Sequence, residues 1–133
     1  MKLIPSLLLL LLLKSNCALS QKTEVSTLIF SGTIVSGYAN TGGYINFTGP
    51  GAKLQKGSSD LMIGVLPTLR FKKDSGITKN SLITPSLGVG ITYTYKFIAI
   101  QIPFYYNSKT AILDGRWNMG IGVGINLNKI INK

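Results

Sequence analysis

Three stretches of the chain alternate large apolar residues with small or polar ones at a period of two. In the first, Leu61, Ile63, Val65, Pro67, Leu69 and Phe71 hold the odd positions against Met62, Gly64, Leu66, Thr68, Arg70 and Lys72. In the second, Ile83, Pro85, Leu87, Val89, Ile91, Tyr93 and Tyr95 alternate with Thr84, Ser86, Gly88, Gly90, Thr92 and Thr94. In the third, Trp117, Met119, Ile121, Val123, Ile125 and Leu127 alternate with Arg116, Asn118, Gly120, Gly122, Gly124, Asn126 and Asn128. Extended chain points successive side chains to opposite sides, so each stretch predicts a strand with two unlike faces. A fourth stretch reverses the parity. Ile98, Ile100, Ile102, Phe104 and Tyr106 are even, and Ala99, Gln101, Pro103 and Tyr105 form the other face.

Residues opposite each other in an antiparallel pair share a face, so an even-numbered loop flips parity and an odd one keeps it. A two-residue turn at Tyr95-Lys96 would pair Tyr93 with Ile98, Ile91 with Ile100 and Val89 with Ile102. A nine-residue loop, Lys72 to Asn80, would set Leu69 opposite Ile83, and a ten-residue loop, Asn107 to Arg116, would set Tyr106 opposite Trp117. One meander then gathers every large apolar residue on a single face. Upstream, residues 25–38 are β-rich, with Leu28, Phe30, Ile34 and Tyr38 on one parity. Ala39 to Gly43 is a turn by composition. Tyr44 to Lys56 reads as a further strand with Gly49-Pro50-Gly51 as a bulge or kink, and Gly57 to Asp60 closes the next turn.

The expected fold is therefore all-β: an antiparallel up-and-down barrel of about six strands, or eight if the first third holds extra short ones. Both termini should lie at the end with the short turns, and the longer loops at the other. A soluble barrel buries its large residues and shows water a charged face. Here the second face is Gly, Ser, Thr, Asn and Ala, with charge nearly confined to strand ends, which suits the crowded interior of a narrow barrel. The large residues would then face outward to lipid, with Phe71, Tyr93, Tyr95, Phe104, Tyr106 and Trp117 as interfacial girdles. The competing arrangement is a soluble barrel with the apolar face inward around an apolar ligand.

The segments GGYINFTGP (42–50), TPSLGVGITYTYK (84–96) and GRWNMGIGVGIN (115–126) resemble the small outer-membrane β-barrel proteins of Gram-negative bacteria, and more narrowly small exported proteins of the Bacteroidetes type. That resemblance implies a fold and an address, with no activity attached. Asn118 to Ile125 follows the barrel-assembly pattern of a last strand, except that its final position is aliphatic and the chain continues to Lys133. Single-chain bacterial barrels begin at eight strands, so six would make this one unusually narrow, unless chains associate as a homo-oligomer.

The start of the chain adds a compartment. Met1-Lys2, an apolar run from Leu3 to Leu13 broken only by Pro5 and Ser6, and small residues at Ala18 and Ser20 are the parts of a secretory signal. The run is half the ~20 residues a spanning helix needs. Lys14 and Asn16 do not fit a lipoprotein site at Cys17. Residues 1–20 are thus expected to be removed, and 21–133 to form a single domain without cysteine.

Of the 14 basic residues, 12 lie beyond residue 20 with all four acids (Glu24, Asp60, Asp74, Asp114), for a net charge of +12 − 4 = +8. Lys72, Lys73, Lys79, Lys109 and Arg116 flank apolar segments without forming a continuous stripe. They suit turns facing the anionic head groups of lipid or lipopolysaccharide, whereas export argues against nucleic acid. Histidine is absent, which removes Ser–His–acid and Cys–His nucleophiles and the usual zinc sets. The Gly-x-Gly spacings of 88–90 and 120–124 fall within strands and open no helix, so they do not read as nucleotide-binding. Asn46-Phe47-Thr48 matches a glycosylation sequon that a bacterial signal makes irrelevant. Arg70 and Arg116 fall on the small-residue face and could pair with Asp74 or Asp114 near one mouth. The sequence predicts no catalytic, cofactor-binding or metal-ligating residues. It points to a non-enzymatic outer-membrane barrel with a structural or surface-interaction role.

Overall fold

Alternating β-rich segments joined by short polar turns give strands that pair with their chain neighbours, and the computed structural model closes them into a barrel. It describes residues 22–40, 42–72, 81–109, 111 and 114–132. The expected signal sequence, Cys17, Lys73, Asp74 and Lys79 lie outside the described residues. The strands are β1 (Glu24–Leu28), β2 (Thr33–Ala39), β3 (Gly42–Phe47), β4 (Gly51–Lys56), β5 (Ser59–Phe71), β6 (Ile83–Tyr95), β7 (Ile98–Asn107) and β8 (Arg116–Asn126), followed by helix α1 (Leu127–Ile131). Antiparallel pairing runs β2-β3-β5-β6-β7-β8 and returns from β8 to β2, closing six strands, while β4 continues along β5 and β1 pairs with β4 outside the ring.

The stagger of this ring can be followed residue by residue. Thr94 pairs with Ala99, Ala99 with Gly124, Gly124 with Val35, Val35 with Asn46, Asn46 with Thr68 and Thr68 with Ser86. One circuit thus returns to β6 displaced by 94 − 86 = 8 residues. With strands ~4.8 Å apart and ~3.3 Å of rise per residue, this gives a tilt of roughly 43° and a backbone radius of about 6.5 Å. At that tilt the 13-residue strands β5 and β6 span about 30 Å of height.

The first two strands of the meander are each interrupted. Asn46 pairs with Thr68 but Gly51 pairs with Gly64, so the residue sum rises from 114 to 115: one extra residue sits between β3 and β4. The bulge expected at Gly49-Pro50-Gly51 is this one, held by Gly49 N–H to Val65 O (2.9 Å) and Val65 N–H to Pro50 O (2.8 Å). It exchanges the faces. Tyr44 and Asn46 point inward upstream, whereas Lys53 and Gln55 take the inner side downstream. The neighbouring strand breaks at residues 29–32, where Gly32 has φ +73° against Asn128. Leu28 and Phe30 consequently line a cavity at one barrel mouth while Ile34 and Tyr38 belong to the outer wall, so the single parity expected for these four does not hold.

Three expected registers are corrected. Tyr95 pairs with Ile98 and Tyr93 with Ile100, around a turn at Lys96-Phe97 whose first residue has φ 54°. Phe71, not Leu69, lies opposite Ile83. The turn after β4 is only Gly57-Ser58, with Ser59 and Asp60 already in β5. A slip of two leaves every side chain on its face, so hydrophobic periodicity cannot sense it. Tyr106 does pair with Trp117 as expected. The last strand ends at Asn126, whose side chain accepts from Lys129 N–H (3.1 Å) and caps α1, so Leu127 and Asn128 are helical.

Glycines set the fit inside. Tyr44 pairs with Gly37, which pairs with Gly122, and the tyrosine ring lies across both. A Cβ on Gly37 would come within 2.6 Å of the Tyr44 hydroxyl and of Gly122 Cα. Gly37→Val is expected to lower the stability of the folded barrel by about 1–3 kcal/mol, the cost of overpacking a filled interior. An unchanged urea midpoint would show that the interior has slack.

Candidate functional site: an outward apolar belt around a filled interior

The pleat of this narrow barrel turns its large apolar residues outward. Ile63, Leu87, Val89, Ile91, Ile100, Ile102, Met119, Ile121 and Val123 are all exposed on the outer wall. Aromatics cluster toward the strand ends: Tyr93, Tyr95 and Phe97 at the end carrying the short turns, and Tyr38, Tyr106 and Trp117 at the other, with Tyr106 and Trp117 in contact at 5.3 Å between ring centroids. Cross-strand pairs such as Ile100 with Val123 and Ile91 with Ile102 tile the wall between them.

The inner face is polar and packed. Gln101 donates from Nε2 to Thr92 Oγ1 (2.8 Å) and accepts from Asn46 Nδ2, which also reaches the Tyr105 hydroxyl (3.4 Å). That hydroxyl lies 3.3 Å from Thr68 Oγ1. Tyr44 meets Tyr105 edge-on at 5.7 Å, and Arg70 stacks over Tyr105 at 5.1 Å while donating to Asn107 Oδ1 (3.1 Å). Tyr44, Leu66, Gln101 and Tyr105 are fully buried and fill the cross-section.

The mouth at the turn end is latched by α1. Lys129 Nζ pairs with Asp60 Oδ2 at 2.7 Å, and Asn126 Nδ2 bonds Thr33 Oγ1 (2.9 Å) and Ser31 O (3.2 Å). At the loop end Lys109 pairs with Asp114 (3.2 Å), both exposed. Asp114 pairs with Lys109 and not with Arg116, and Arg70 donates to the Asn107 amide oxygen; the expected pairing of either arginine with Asp74 lies outside the described residues. The described carboxylates are not brought together: Asp60 is at the turn end, Asp114 at the loop end, and Glu24 pairs with Lys22.

Periodicity assigns faces but no partners, so it does not reveal that Asn46 and Gln101, 55 residues apart, meet inside. Nor does it reveal the Asp60–Lys129 latch. The one available hint was that Asp60 and Gln101 are strongly polar residues on inward parities. Neither a protein-family model, nor a curated protein, nor a solved structure matches this chain.

Gln101→Leu leaves the Asn46 amide and the Thr92 hydroxyl without their partner and is expected to cost about 1–3 kcal/mol, read as a lowered denaturant midpoint. Lys129→Met strands Asp60. Because Lys129 is 25% exposed, the loss should fall at about 2–3 kcal/mol, near or below the bottom of the range for a fully buried pair. A midpoint equal to that of the unaltered protein would show the latch to be open in solution.

Proposed function

We propose that this protein is a small integral outer-membrane β-barrel, non-enzymatic, with a structural or surface-interaction role. The observation that carries this reading is the inside-out distribution of polarity on a closed barrel: a polar, filled interior within a continuous apolar wall. A wall of that kind in water would leave its aliphatic belt hydrated, at ~25 cal/mol for each Å²; lipid removes that cost, and closure satisfies the backbone of the ring strands. The estimated tilt and strand length match a hydrocarbon core of ~30 Å, and terminal aromatics suit the two interfaces. The two-residue turns at Gly57-Ser58 and Lys96-Phe97 lie at one end, and the long connections after β5 and β7 lie at the other, beside the short β2–β3 turn; long loops gathered at one end follow the outer-membrane arrangement, with that end outside. Basic rim residues suit lipid or lipopolysaccharide head groups. The soluble alternative needs the apolar face turned inward around a ligand, whereas the inward face here carries Asn46, Thr68, Thr92 and Gln101.

Fractionation of the native host tests this directly. The protein should stay in carbonate-washed outer membrane and migrate differently on gels when boiled and unboiled; recovery in the soluble fraction with no shift would overturn the reading. Val123→Arg, on the outer wall, should impair folding into vesicles by about 2–4 kcal/mol, whereas a water-facing wall would accept it without loss. Planar bilayers should show no stable large conductance, because the cross-section is filled.

A further inference from the structure

Among the described residues most cations at the turn end have a side-chain partner, Lys56 being the exception. At the turn end Lys129 pairs with Asp60, Lys53 donates to Gln55 Oε1 (2.9 Å), and Lys96 stacks on Tyr95 (5.7 Å). At the loop end a cavity of about 430 Å³ opens between Lys72, Asn107, Ser108 and Arg116. Among the described residues its one acid is Asp114, held by Lys109 at 3.2 Å, and neither Lys72 nor Arg116 has an acidic partner there. Arg70, joined to the cavity through its bond to Asn107, adds a third cation without an acidic partner among the described residues. Arg70 donates to Asn107 Oδ1, which turns the Asn107 amide nitrogen away from it, and its own Nη2 is buried without a partner among the described residues. A partly buried guanidinium without a counter-charge is costly, and an anion in the cavity above would offset that cost.

We propose that the loop-end cavity binds a phosphate group, with Arg116 and Lys72 as its charged donors and Asn107 and Ser108 as neutral ones. Donors on separate strands and loops approach from several directions, as a tetrahedral dianion requires, and the cavity volume lies in the range of small-ligand sites. The site goes beyond the membrane reading and does not depend on it, since it lies at the mouth and not on the apolar wall. The phosphate comes either from a lipid head group or from a soluble phosphate compound.

Trp117 adjoins Arg116 but stands on the outer wall, so binding is read by titration calorimetry and not by its fluorescence. The folded protein in an amine-oxide detergent, which carries no phosphate, is titrated with inorganic pyrophosphate and, separately, with micelles doped with phosphatidic acid. A saturable change is expected in at least one series. Saturation only with doped micelles assigns a lipid source, only with pyrophosphate a soluble one, and with both a site that reads the phosphate group alone. Arg116→Gln and Lys72→Gln should each weaken binding roughly tenfold, and Lys96→Gln, at the opposite end, should leave it unchanged. Should Arg116→Gln fail to fold, Lys72→Gln carries the test. A linear response in both series, or equal weakening by Lys96→Gln, overturns the proposal.

Discussion

Everything in this molecule is subordinate to the width of its interior. Six strands closing with a displacement of eight residues leave a backbone radius of about 6.5 Å, room for little more than one side chain from each direction. Glycine therefore recurs along the inner face of β6 and β8, and two tyrosines occupy the space those glycines leave. Tyr44 lies across Gly37 and Gly122, and Tyr105 lies against Gly88. A lumen this small houses Leu66 but few other large aliphatic side chains of the long strands, and most of their Ile, Leu and Val residues stand on the outer wall.

That displacement reverses the usual source of stability. A water-soluble barrel is held by its apolar core; here the buried core cluster is small, namely Val35, Ala39, Tyr44, Ala99 and Tyr105. The hydrogen bonds that join Asn46, Gln101, Thr92, Tyr105 and Thr68 give the interior a specific fit, because they form only in one register. Slipping β7 by two residues, which periodicity alone would allow, takes Gln101 away from Thr92 and Asn46. The polar lining thus supplies the register information that the apolar pattern lacks, and the apolar wall determines the solvent in which that register is stable.

How much of this was legible in the sequence follows from the same division. Faces, strand directions and the placement of loops and turns were readable for residues 61–126, where parity persists without interruption in each strand. The first third was harder for a physical reason. The bulge between β3 and β4 and the break at Gly32 each exchange inward and outward positions, so no single parity describes Leu28, Phe30, Ile34 and Tyr38. Helix α1 was hidden because Leu127 continues the apolar alternation of β8, and only the Asn126 cap ends the strand. The loop-end cluster was partly visible. Arg70 and Arg116 were assigned to the inner face and one mouth; of their expected acidic partners Asp114 lies at that mouth but pairs with Lys109, and Asp74 is outside the described residues.

The seam that closes the ring joins β2 to β8, and its outermost pair, Thr33 and Asn126, lies 93 residues apart in the chain. Every other strand pairing in the ring is made between neighbours along the meander, so this one cannot form until the final strand is available. Until then both flanking strands expose a row of unpaired amides and carbonyls, which hydrocarbon does not tolerate. In the membrane placement proposed above, a growing chain of this design would have no stable half-built form in the bilayer, and its delivery there would require two open edges to be shielded until the last strand arrives.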